Sequence, residues 1–258
     1  MSRPLLCVRD LAIQFGGVRA VDGATFDVMP GEVFTIIGPN GAGKSTIFNL
    51  VSRIYDATAG TIVFDGHDIT RMPVHRIAAQ GIARTFQNNE LFEYATVLQN
   101  LLVGRHRHRR TGLLAHVLFT PGARREEEHH RRKVEEVIDF LDLQHYRDQS
   151  IAGLPYGVRK KVELGRALAA EPKLLLLDEP SSGLNVEETE EMSFWISDIK
   201  KLLGITVVMI EHDMSLVNDV SDRVLALNYG KVIAVGTPSE VQAHPEVVRA
   251  YLGSEDTA

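Results

Sequence analysis

Residues 38–45 read GPNGAGKS and fit the pattern GxxxxGK[ST] at every fixed position. The octet follows an apolar run, VFTII, and precedes TIFNLVSRIY, whose apolar residues recur at helical spacing. Strand, glycine-rich loop and helix in that order form a cradle for a polyphosphate. Glycines let backbone N–H groups turn inward, and the helix N-terminus adds the positive end of its dipole. Gly38, Asn40, Gly41, Ala42, Gly43, Lys44, Ser45 and Thr46 are therefore the expected phosphate-binding residues. Lys44 would reach the β- and γ-phosphates, and the Ser45 hydroxyl would hold Mg²⁺.

Residues 174–180 read LLLLDEP. A run of leucines suggests a strand buried on both faces, and two acids at its carboxyl end suggest a ligand site, since ligands in open α/β sheets lie beyond the carboxyl ends of the strands. Asp178 would hold Mg²⁺ through water. Glu179 would orient and polarise an attacking water. Phosphoryl transfer depends mostly on such positioning and charge stabilisation. Without the upstream loop, the same two acids would serve equally well as caps of the next helix.

The rest of the chain frames these stretches. It has 258 residues, 44% hydrophobic and 24% charged, the balance of a globular protein. A formal net charge of −6 argues against nucleic acid as the main partner. The single cysteine, Cys7, leaves no internal disulfide framework and fits a reducing compartment. No apolar run approaches the roughly 20 residues that cross a bilayer, and the N-terminus does not resemble a secretory signal. If the chain works at a membrane, another subunit spans it.

Short apolar runs alternate with helical patterns, as in an α/β fold on a largely parallel sheet. Strands are expected at 5–8, 25–28, 33–37, 61–64, 174–177, 206–210, 223–227 and 232–235. Helices are expected after Gly43 and near 74–80, 97–105, 126–141, 158–170, 186–203 and 214–220. Residues from about 88 to 160 hold no convincing strand, but Val134, Val137, Ile138 and Leu141 form one helical stripe. This implies a helical subdomain at about 88–164, inserted into an α/β core of 1–87 and 165–258. Its runs RHRHRR and HHRRK read as a solvated covering surface, or as contacts for anionic headgroups or a partner's loops.

At this point the chain resembles the nucleotide-binding subunit of an ABC transporter over nearly its whole length. The carrying segments come in order: GPNGAGKST, TFQNNELF, LPYGVRKKVELGRALA, LLLLDEP, SSGLN and VVMIEHD. The resemblance implies a single P-loop NTPase core of ABC ATPase type with an inserted helical subdomain, ATP and Mg²⁺ as cofactors, and ATP hydrolysis as the activity. It further implies that Gln87 touches Mg²⁺ and the water, that His212 contacts the γ-phosphate, and that Phe15 stacks on adenine. Two ATP molecules would lie between two cassettes, with Gly157 of one closing the site of the other. The second cassette would be a copy of this chain or a sister subunit.

Two segments depart from the family pattern. In LPYGVRKK, residues 154–161, Gly157 matches the second glycine of the LSGGQ-like signature, while Pro155, Tyr156 and Val158 replace serine, the first glycine and glutamine. Pro155 removes a hydroxyl but suits the first turn of a helix. Arg159 or Lys160 would supply part of the lost contact. An inert relic would be expected to have lost Lys44, Asp178 or Glu179 as well; all three stand. Asn185 occupies the place of the aspartate more usual in the loop that crosses between cassettes, a change expected to alter cross-talk between the sites.

FGGVRAVDG near the start, the tyrosine before Gly157 and the ending GTPSEVQAHPEVVRAYLG are similar to the longer ATPase subunit of branched-chain amino acid importers. That branch implies transmembrane permease subunits, an indirectly engaged solute-binding protein, and a peripheral position on the cytoplasmic face of the inner membrane. An exporter motor of the lipopolysaccharide type, a soluble ABC ATPase outside transport, and a module that holds ATP without turnover remain the alternatives.

Overall fold

A computed structural model describes residues 3–85, 91–109, 111 and 120–252. Among these, two compact units are distinguished: one holds the residues up to Arg84 and from Lys173 onward, the other those from Thr85 to Pro172.

In the first unit β1 (Leu6–Phe15), β2 (Val18–Val28), β4 (Ala59–Phe64) and β5 (His67–Asp68) form an antiparallel sheet in the order β2-β1-β4-β5. The remaining strands are β3 (Val33–Ile37), β6 (Ile82–Arg84), β7 (Leu174–Asp178), β8 (Thr206–Ile210), β9 (Arg223–Asn228) and β10 (Lys231–Gly236). They make a second sheet in the order β10-β9-β3-β8-β7-β6, parallel at every pairing except β10 with β9. Every residue of β3, β7 and β8 is buried, which is why these strands read as apolar runs broken only by Thr35, Asp178 and Thr206. The sequence pattern points to one largely parallel sheet; the structure instead sets β1, β2, β4 and β5 apart in an antiparallel sheet of their own.

Helix α1 (Lys44–Val51) packs its buried residues, Ile47, Phe48, Leu50 and Val51, into a core shared by both sheets. Phe34 and Ile36 of β3, Val208 and Ile210 of β8, and Leu225 and Leu227 of β9 supply one face of that core. Leu6, Val8, Phe26 and Ile62 supply the other sheet's contribution. The helix carrying Lys44 is thus held by apolar packing, each buried side chain worth about 1.5–3 kcal/mol. Helix α2 (Val74–Gln80) adds Ile77 to this core.

The second unit contains α3 (Val97–Gly104), α4 (Pro121–Phe140) and α5 (Tyr156–Leu168). Thr96 and Gln99 close a capping box at the start of α3. Gly165 lies where a Cβ would press on Leu141 and Leu101, so its lack of a side chain sets how closely these helices approach. The RHRHRR run is not wholly solvated: Arg105 is 2% exposed, donates 2.8 Å bonds to the Ala169 carbonyl and Glu171 Oε2, and lies beside the buried His130. The guanidinium belongs to the unit's interior, where it meets one carbonyl left open at the end of α5, that of Ala169, and a carboxylate, Glu171.

The first unit resumes with α6 (Val186–Leu203), α7 (Met214–Val220), α8 (Pro238–Gln242) and α9 (Pro245–Leu252).

Candidate active site

The end of β3 feeds the phosphate loop, and the loop turns directly into α1. Gly43 caps α1 in the left-handed region, with φ 103°, and a Cβ there would collide with the Ala20 carbonyl oxygen. Gly38 is similarly excluded from carrying a side chain by the Leu227 carbonyl oxygen. The turn after β9 steadies the loop: Gly230 donates its N–H to the Ala42 carbonyl at 2.9 Å and accepts from Asp22 N–H at 2.9 Å.

Lys44 is only 9% exposed. Its Nζ donates to the Gly38 carbonyl at 2.6 Å and the Pro39 carbonyl at 3.0 Å, so the ammonium is held over its own loop. Burial lowers its pKa, and the carboxylates of Glu179 and Asp178 pull in the opposite direction. Ser45 is exposed at the start of α1, and Asn40 and Gly41 are exposed in the loop.

Asp178 ends β7, opposite Ile210 of β8, and is 3% exposed. Arg84, the last residue of β6, donates from Nη2 to Asp178 Oδ2 at 2.8 Å. Its Nη1 reaches Asn49 Oδ1 at 2.7 Å and Ser52 Oγ at 3.1 Å, and the guanidinium lies 5.6 Å from the centre of the Phe48 ring. One arginine therefore ties the acid to the helix that carries Lys44. Sequence reasoning missed it, because its partner lies 94 positions away. Arg84→Met is expected to destabilise the fold by about 3–5 kcal/mol, since it strands a buried carboxylate without its counter-ion. Urea unfolding of the two proteins measures this.

Glu179 sits just beyond β7 with φ 50°, a left-handed conformation that costs a long side chain on the order of 1–3 kcal/mol. Its N–H donates to the Ile210 carbonyl at 3.0 Å, and its carbonyl accepts from Ser182 N–H at 3.1 Å. Such strain persists where surroundings over-determine it, commonly at functional positions. His212 follows β8 with its side chain 62% exposed. A cavity of about 980 Å³ is lined by Gly38, Asn40, Gly41 and Ala42 of the loop together with Glu179 and His212, and by Glu246, Arg249 and Tyr251 of α9. That volume suits a nucleotide-sized ligand. The contribution of α9 carried no signal in the sequence.

Phe15 ends β1 opposite Val18 and is 45% exposed, with Tyr55 edge-on at 5.2 Å between ring centres. Two aromatic side chains, not one, thus stand on the β1–β2 side. Gln87 lies outside the described residues.

Gly157 belongs to the second unit, where it is buried in the first turn of α5. Its N–H is among the four at a helix start that have no intrahelical acceptor. Pro155 is the N-cap of α5 rather than a first-turn residue, and its carbonyl accepts from Arg159 N–H at 3.1 Å. The helix begins two residues earlier than the sequence pattern suggested because Tyr156 and Gly157 carry no apolar periodicity. The Arg159 side chain is bonded to the segment that leads into the helix: Nε donates to the Leu154 carbonyl at 2.9 Å and Nη2 to the Ala152 carbonyl at 3.0 Å. Lys160 is buried, 5.8 Å from the Tyr156 ring.

Asn185 is the N-cap of α6. Its Oδ1 accepts from Glu188 N–H at 3.0 Å, while Glu188 Oε2 accepts from Asn185 N–H at 3.0 Å. Asn185→Ala is expected to remove about 1 kcal/mol of stability through loss of this cap, read as a lower midpoint in thermal unfolding.

Residues 21–182, which carry the phosphate loop, Asp178 and Glu179, match the family model described as ABC transporter. The chain belongs to the ABC transporter family. A second model, the branched-chain amino acid ATP-binding cassette transporter, matches residues 231–257 of this ABC ATPase. It is 41% identical to the high-affinity branched-chain amino acid transport ATP-binding protein BraF of Pseudomonas aeruginosa, over 98% of this chain and 99% of that one. It is 39% identical to the LivG protein of the same description from Escherichia coli K12, with the same coverage. Among solved structures, the ADP conformation of MJ1267, an ATP-binding cassette of an ABC transporter, superposes with a TM-score of 0.85 at 32% identity, covering 98% of this chain and all of that one. The fold is thus that of the ABC ATPases, and the chain is an ABC-type ATP hydrolase, the ATP-binding subunit of a transporter. Among the described residues no helix is long and apolar enough to cross a membrane.

Proposed function

We propose that this ABC ATPase drives an importer of branched-chain amino acids or closely related small solutes. The observation that carries the reading is the match of residues 231–257 to the branched-chain cassette model, supported by relatives at 39–41% identity over the full length. It favours import over the lipopolysaccharide-type export alternative.

Lys44, Ser45 and the N–H groups of Gly41 and Gly43 grip the ATP phosphates at the start of α1, with Asn40, Ala42 and Thr46 flanking them, and Phe15 stacks on the adenine. A hydroxyl and a carboxylate are hard oxygen donors, and Ser45 and Asp178 supply one of each. That fits Mg²⁺, which takes one or two carboxylates alongside phosphate oxygens. When bound, Mg²⁺ would neutralise negative charge developing on the transferred phosphoryl group. Gln87 would touch the same ion and the attacking water, and Asp178 would hold the ion through water. Glu179 accepts a hydrogen bond from the attacking water and takes its proton as the new oxygen–phosphorus bond forms. The bond to the bridging oxygen breaks and ADP leaves. His212 holds the γ-phosphate during the exchange.

Each site is completed by Gly157 of a second cassette, either another copy or a sister chain. The pair sits peripherally on the cytoplasmic face of the inner membrane, beneath permease subunits, and reaches the solute-binding protein only through them. Nucleic acid has no part in this reading.

The test is purification with the membrane subunits, reconstitution into vesicles, and ATPase measurement with solute and solute-binding protein added. Stimulation by leucine, isoleucine or valine is expected. Co-purification with lipid-handling membrane subunits and no response to any amino acid would overturn the importer reading.

A further inference from the structure

We propose that Glu211 is a positioning residue that sets the switch histidine, His212, in register with Glu179, so that hydrolysis depends on it and ATP binding does not. This rests on the roles assigned to Glu179 and His212 above.

Glu211 follows β8 and is 0% exposed. Its own N–H points to the Ile36 carbonyl of β3, at 3.4 Å. The carboxylate spans two loops. Oε1 accepts the N–H of Ser181, two residues after Glu179, at 2.9 Å. Oε2 accepts the N–H groups of His212 and Asp213, at 2.8 and 3.2 Å. Backbone bonding adds a further link, since Glu179 N–H donates to Ile210, the residue before Glu211.

A carboxylate offers only acceptors, and here three backbone donors meet them. Two donors belong to the segment that carries His212 and one to the segment that carries Glu179. Neither segment is a continuous part of a strand or helix, so the buried carboxylate fixes the distance between them. A general fold-stabilising acid would need no such division between the two loops. Catalytic groups misplaced by about 1 Å lose rate on the order of a hundredfold, and a side chain holding the two together therefore acts on turnover.

Glutamine at this position keeps the shape and loses one acceptor. Its NH₂ would face a backbone N–H of one loop. For Glu211→Gln in the assembled transporter, kcat is expected to fall ten- to a hundredfold, with the Kd for a fluorescent ATP analogue within twofold of wild type. In the His212→Ala background the same substitution is expected to add little, because the residue it positions is already gone. An unchanged kcat in a folded variant would overturn the proposal. So would a loss that multiplies in full with that of His212→Ala, or a loss of ATP affinity as large as the loss of kcat.

Glu179→Gln, measured alongside, separates the two levels. If it hydrolyses ATP at the wild-type rate, the reading of the site fails. If it is slow while Glu211→Gln is not, only the role given to Glu211 fails. Should Glu211→Gln not fold, amide hydrogen exchange in the wild-type complex carries the test. Protection at Ser181, His212 and Asp213 is expected to change together when ATP is added, and independent changes would overturn the coupling.

Discussion

Glu179→Gln is expected to slow ATP turnover about a thousandfold and to leave ATP affinity within a few-fold of wild type, an effect within the range for loss of a positioned general base. The glutamine keeps the size and the backbone conformation, including φ 50° and the bonds to Ile210 and Ser182. It loses the lone pair that takes the water's proton and the charge that polarises the water. Binding rests on the phosphate loop, which the substitution does not touch. Single-turnover hydrolysis and equilibrium binding of a fluorescent ATP analogue separate the two. A parallel loss of both would place Glu179 in nucleotide binding and not in the chemical step.

Lys44→Ala is expected to act on both quantities. Removing one charged stabiliser of a developing phosphate charge costs roughly a hundred- to a thousandfold in rate, and here the same ammonium also meets the ground-state phosphates, so affinity falls as well. The fold should survive. Nζ is bound to carbonyls of its own loop, at Gly38 and Pro39, and the apolar anchors of α1 lie further along the helix at Ile47, Phe48 and Leu50. Circular dichroism unchanged from wild type, with ATP binding reduced by at least tenfold, is the expected pair of results. Wild-type affinity in a folded Lys44→Ala protein would remove the lysine from the phosphate site.

Where the sequence was read correctly, one physical signal dominated. Val33–Ile37 and Thr206–Ile210 were delimited to the residue because strands buried on both faces are predominantly apolar, here with a single threonine each, Thr35 and Thr206. The helix Val186–Leu203 was equally clear, bounded by an asparagine cap and by Gly204 in the left-handed region. The hairpin of β1 and β2 was cut short, expected at 5–8 and 25–28, because irregular register shifts between Val8 and Gln14 break the alternation that marks a half-buried strand. Arg84 and Glu211 were illegible for a different reason. Each draws its meaning from partners brought close by the fold, 94 positions away for Arg84 and 30 for Glu211. A lone arginine before TFQ, or a glutamate before a histidine, carries no such information.

The cap at Asn185 has a consequence for how two cassettes would meet. A carboxylate at this exposed position would add to the negative charge of Glu187 and Glu188 beside it, and its attraction or repulsion towards a second cassette would be screened over about 8 Å at physiological ionic strength. Asn185 performs the capping as a neutral amide, through Oδ1. Contacts made by the Asn185 amide itself should accordingly respond little to added salt, tuned by shape and hydrogen bonding, so that any ionic-strength dependence at this point would come from the neighbouring carboxylates Glu187 and Glu188.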